Sequence, residues 1–146
     1  MVHIISSPQN WEEDELENPI GDTEWVLNSI TNELTVFSSS KDGNGDGLPW
    51  YDFEELVTSV VLLKGVAAIC SGAFGCFFLL NSIRIPNSVT SIGDRAFAFC
   101  TKLVSIAIPD SVESIGNAAF DGCGILSLKI PRSVVSFGSN PFVECE

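Results

Sequence analysis

Apolar and polar residues in this chain alternate in short runs that return at a fixed interval. Residues 80–100 read LNSIRIPNSVTSIGDRAFAFC, residues 103–123 read LVSIAIPDSVESIGNAAFDGC and residues 126–145 read LSLKIPRSVVSFGSNPFVEC. Phe97 to Phe120 is a step of 23 and Phe120 to Phe142 a step of 22, the missing residue falling between Cys123 and Leu128. An earlier, degenerate copy starts at Val57, with Ile69 and Phe74 each one full period before Ile92 and Phe97. Within a unit, S-I-x-I-P has the two-residue period of a half-buried strand, and its proline ends the ladder. Ile83 and Ile85 should point inward, Ser82 and Arg84 outward. The V-x-x-I-G segment that follows predicts a second short extended piece, and Gly93, Gly116 and Gly138 predict a corner too tight for a side chain. A-F-x-x-C closes the unit.

One such unit has too little apolar surface to stand alone, so neighbours must stack and bury one another's edges. Stacking at this period predicts three ladders: Ile83/Ile106/Leu128, Ile92/Ile115/Phe137 and Phe74/Phe97/Phe120/Phe142. The cysteines Cys100, Cys123 and Cys145 fall into a fourth, read as buried thiols that act as small apolar groups and bond weakly to turn carbonyls. Cys76 falls one residue early for that ladder and is the expected exposed thiol.

The recurring I-x-I-P-x-S-V-x-S-I-G-x-x-A-F-x-x-C-x-x-L, over about residues 57–146, resembles the BspA-type (treponemal-type) leucine-rich repeats. The preceding EWVLNSITNELTVF and LPWYDFEEL resemble the capping hairpin and P-W-Y motif that often precede such arrays. The resemblance implies a right-handed leucine-rich-repeat solenoid, a β-rich α/β superhelix, made of a short array with an N-terminal β-hairpin cap. Its division would be an acidic flexible leader at 1–21, the cap at 22–56 and repeats at 57–146. It also implies a surface or secreted module that binds a host or extracellular matrix protein. The sequence departs from the pattern in its few repeats, in showing no signal peptide, and in having no polar terminating segment around Glu146, so self-association through an open C-terminal end is a further expectation.

Composition narrows the partners. The 146 residues are 45% hydrophobic and 18% charged, a globular balance for one domain. The net charge of -12 lies wholly in residues 1–55, which hold 13 acidic residues and one basic, Lys41, while residues 56–146 balance six against six. That acidity disfavours nucleic acid and anionic membranes as partners. The start has neither a basic nor an apolar signal region, which leaves a cytoplasmic location open beside the cell-surface or secreted one. Residues 65–83 carry no charge over 19 positions. Their repeat counterparts Asp94, Arg95 and Lys102 argue against membrane insertion.

Five candidate features carry chemistry. Val61, Arg84, Ala107 and Lys129 form an outward row that could receive an acidic or amphipathic protein segment; Ser59, Ser82, Ser105 and Ser127 form the next. Phe78 and Leu79 occupy places that are polar in the next unit, which marks a partner site unless the cap covers them. Asp42, Asn44 and Asp46 with Gly47 spell the first half of a calcium loop, but its twelfth position is Phe53 rather than glutamate. Calcium is thus the one cofactor the sequence suggests, and a calcium-stabilised structural spacer with no ligand of its own is the alternative function. The acids from Glu12 to Glu17 read as solvated, and His3 has no partner in sequence, so no enzyme is expected.

Overall fold

A computed structural model of the chain describes residues 4–6, 24–28, 30–39 and 50–142. The chain winds as a β-solenoid of about four turns. A cap of three strands opens it: β1 (Ile4–Ser6), β2 (Glu24–Asn28) and β3 (Glu33–Ser39). A 3-10 turn (Tyr51–Phe53) leads to β4 (Ser59–Val66), β5 (Ala68–Ile69) and β6 (Ser82–Arg84), then to β7 (Ser91–Ile92), β8 (Ser114–Ile115) and β9 (Ser136–Phe137). Two sheets result, ordered β1-β2-β3-β4-β6 and β5-β7-β8-β9. The cap pairs antiparallel, and every pairing from β3 onward is parallel, so β3 serves as a first coil for the repeats to stack on. The hairpin between β2 and β3 turns because the Asn28 side-chain oxygen accepts the backbone N–H groups of Ile30 and Thr31 at 3.0 and 3.2 Å.

The core is a column of rings. Phe74, Phe97, Phe120 and Phe142 stack with centroids 5.5–5.7 Å apart and planes within 19° of parallel. Trp50 continues the column at the cap end, 5.8 Å from Phe74 and tilted by only 13°. Its indole N–H donates to the Ala73 carbonyl at 2.9 Å, while the Tyr51 hydroxyl donates to the Gly72 carbonyl. The P-W-Y motif thus supplies both the last ring and two polar clasps. Offset stacking adds about 0.5–1.5 kcal/mol per pair beyond the burial of each ring.

The turns that carry these rings bond coil to coil. Gly72, Phe74 and Cys76 donate their N–H groups to the carbonyls of Asp94, Ala96 and Ala98, and Arg95, Phe97 and Phe99 repeat the pattern toward Asn117, Ala119 and Asp121. To aim alternate N–H groups along the stack, two residues per coil take positive φ: Gly72 and Cys76, Arg95 and Phe99, Ala118 and Gly122. Only two of these six are glycine; left-handed geometry at the others costs about 1–2 kcal/mol each, which the coil-to-coil bonds must offset. The expected corner is equally concrete. A Cβ at Gly116 would lie 2.5 Å from the Asp94 backbone nitrogen, and one at Gly138 would lie 2.3 Å from that of Asn117.

Three features depart from the reading of the sequence. Ser105–Ala107 and Ser127–Lys129 keep the burial alternation of Ser82–Arg84 but form no strand, so the five-stranded sheet ends at β6. Phe137 ends the isoleucine ladder 49% exposed. Ile4–Ser6, inside the segment expected to be a leader, pairs with β2 instead. Among the described residues the 3-10 turn is the only helical piece, so turns rather than helices close each coil.

Phe97→Ala or Phe120→Ala should cost about 3–5 kcal/mol, a large share of the stability of an ordinary domain. Thermal melting by circular dichroism checks it, and a melting point within a degree or two of wild type would refute the ring column. Gly116→Ala should cost about 1–3 kcal/mol because backbone must move. Gly75→Ala, whose nearest contacts would be 3.4 and 3.5 Å, should be tolerated in the same assay.

Candidate functional site

Outward rows cross the five-stranded sheet. The register puts Glu33, Ser59 and Ser82 in one row and Thr35, Val61 and Arg84 in the next. The repeat step extends them by Ser105 and Ser127 and by Ala107 and Lys129. Arg84, Ala107 and Lys129 are exposed, and Val61 is half-buried. An open groove of about 270 Å³ borders the far end of the row, lined by Ile106, Ala107, Ile108, Asp110, Lys129 and Pro131. Lys64 on β4, Arg84 on β6 and Lys129 in the row's last position are all exposed.

Two residues that the sequence reading passed over belong here. Leu34, Val36, Val60 and Leu62 are buried, so Phe37 and Leu63 beside them turn outward, at 40% and 38% exposure. Strand alternation could have found both. What it could not show is that the register slips beside Phe37, which leaves both Leu63 and Lys64 opposite that one residue.

Phe78 is 47% exposed, because the cap ring of Tyr51 covers Phe77 instead, at 6.3 Å. It lies on the turn side of the coil, apart from the strand rows. Cys76 is exposed, since Phe77 takes the place that Cys100 and Cys123 fill in later coils. The Cys100 thiol donates to the Phe74 carbonyl at 3.1 Å and the Cys123 thiol to the Phe97 carbonyl at 2.9 Å. The neighbouring Cys123 side chain, and then burial, push the Cys100 thiol up from the ordinary range, so it stays protonated and unreactive. Cys145 and the half calcium motif of Asp42, Asn44 and Asp46 lie outside the described residues. Among the described residues no three His, Cys, Asp or Glu side chains gather as metal ligands, and no helix is long and apolar enough to cross a membrane.

Coils of this period, sealed by an aromatic cap and presenting parallel strands outward, define a leucine-rich-repeat domain. The chain belongs to the BspA-type leucine-rich repeat family, whose six-copy repeat-region model matches residues 49–146. Among solved structures it resembles a leucine-rich repeat protein from Eubacterium ventriosum, with a TM-score of 0.75 and 22% identity, over 97% of this chain and 36% of that one. A leucine-rich repeat protein from Bacteroides ovatus gives 0.65 and 28%, over 94% and 39%. The leucine-rich repeat protein of T. pallidum gives 0.64 and 26%, over 89% and 68%. The chain therefore spans little more than a third of the first two. Comparison with curated proteins gives no match.

In the native protein a maleimide should label Cys76 far faster than Cys100 or Cys123, both of which should react only in denaturant. Peptide mapping by mass spectrometry reads the order, and early labelling of Cys100 would contradict the buried thiol ladder.

Proposed function

We propose that this domain is a protein-recognition module of the adhesion type, acting at the cell surface or after secretion through the outward face of its strands. The observation that carries this reading is the exposed row of Arg84, Ala107 and Lys129 beside a groove on an otherwise self-supporting array. Repeats stacked on an aromatic column need none of these outward side chains for their own stability, which leaves the face free to vary with a partner. A basic strip on a chain of net charge -12 is a local exception, and it suits an acidic surface of another protein. The family typically supplies surface-associated modules, which supports the location. The domain works by shape and summed weak contacts rather than by catalysis.

Binding to immobilised matrix glycoproteins tests the proposal. The wild-type domain should bind saturably, and Arg84→Glu with Lys129→Glu should weaken binding by about tenfold or more while the melting point holds. Undiminished binding by the double variant would remove the strand face from the reading.

A further inference from the structure

The strongest unassigned feature is a defect in the sheet. β3 pairs with β4 as Val36↔Leu62 and then Ser38↔Gly65, so Phe37 alone faces both Leu63 and Lys64. On its other side β3 pairs with β2 as Trp25↔Val36 and Glu24↔Ser38, so Phe37 is again the residue out of step. Bulges are uncommon between parallel strands, and where they occur they re-aim side chains. The double slip leaves one aromatic, one leucine and one lysine exposed where the ladder breaks step, with Leu63 two residues along the strand from Val61, which pairs with Arg84.

We infer that this bulge is the anchor point of the strand face, and that its occupant is an acidic segment of another protein carrying a large apolar side chain. The inference rests on the recognition reading above and names the partner's chemistry. Phe37 and Leu63 form a pad that an apolar side chain covers, and Lys64 and Arg84 sit where flanking carboxylates reach them. Aromatic anchors ringed by charge are where binding energy concentrates in protein interfaces. The strip then runs on past Ala107 to Lys129, so a bound segment in extended form would meet a third cation at the far end of the face. A long polyanion laid on the domain meets its net charge of -12 as well as the local cations, which disfavours DNA and heparin-like chains, whereas charges more than about 8 Å from a short peptide are largely screened from it. A short peptide with few charges feels mainly the local cations, and only a peptide uses the apolar pad.

The test uses the full chain and three short fluorescein-labelled peptides: tryptophan flanked by glutamates, tryptophan flanked by lysines, and the glutamate peptide with alanine for tryptophan. Fluorescence polarisation should show saturable binding of the first only. Phe37→Ala and Lys64→Glu should each weaken it about tenfold, and Lys102→Glu, an exposed cation elsewhere on the coil, should leave it unchanged. Lys64→Glu keeps the test informative should Phe37→Ala lower the melting point. Equal binding of the lysine peptide, displacement by heparin at lower concentration than by the glutamate peptide, or full binding by Lys64→Glu would overturn the inference. If no peptide binds, while glycoprotein binding survives Phe37→Ala and Lys64→Glu but not Arg84→Glu/Lys129→Glu, the anchor fails and the recognition face stands. If no glycoprotein binds either, both readings fail together.

Discussion

Everything in this molecule depends on one spacing: aromatic rings must meet face to face once per turn of the chain. One ring from each coil, held 5.5–5.8 Å from the next, sets the pitch of the whole winding. The pitch then dictates the rest. It brings backbone of adjacent coils within hydrogen-bonding reach at the turns, and it presses Gly93, Gly116 and Gly138 against the neighbouring coil so closely that a methyl group has no room. It also lays serine hydroxyls over carbonyls, as where Ser88 and Ser111 donate to Val66 and Val89 at 2.7 Å. Burial drives the stack, but the period decides which atoms can meet.

Much of this was legible in the sequence because repetition multiplies a weak local signal. A single S-I-x-I-P is an ambiguous strand; several of them in step with A-F-x-x-C mark an inside, an outside and a corner. The phenylalanine ladder occurs as read, and so does the thiol ladder through Cys100 and Cys123. The ring column's true first member was harder to see, since Trp50 precedes the repeats read from Val57 and differs from phenylalanine in type. Its place follows from its standing one period and one residue ahead of Phe74. The strained turns were invisible for another reason: Arg95, Phe99 and Ala118 are not residues that announce positive φ, and only neighbouring coils hold them there.

The outward face was legible in its rows and hidden in its detail. Alternation gives Arg84 and Lys129 as exposed, and it would also have given Phe37 and Leu63. A register slip between parallel strands leaves no trace in one strand's own pattern, because it is a property of the pair. The fold's regularity makes such a slip more telling. In an array where each position repeats its neighbour, the junction of cap and first coil breaks step, and the side chains there follow a geometry that the repeat does not impose.

The bonds between turns also have a direction. The N–H groups of Gly72, Phe74 and Cys76 look ahead to carbonyls contributed by the following coil, as do those of Arg95, Phe97 and Phe99. During synthesis, then, a coil that has just left the ribosome holds donors whose acceptors have not yet emerged. Its own turn bonds, such as that from the Gly75 N–H to the Gly72 carbonyl, satisfy only alternate groups, and the rest wait, one winding behind the growing end, for the next stretch of chain.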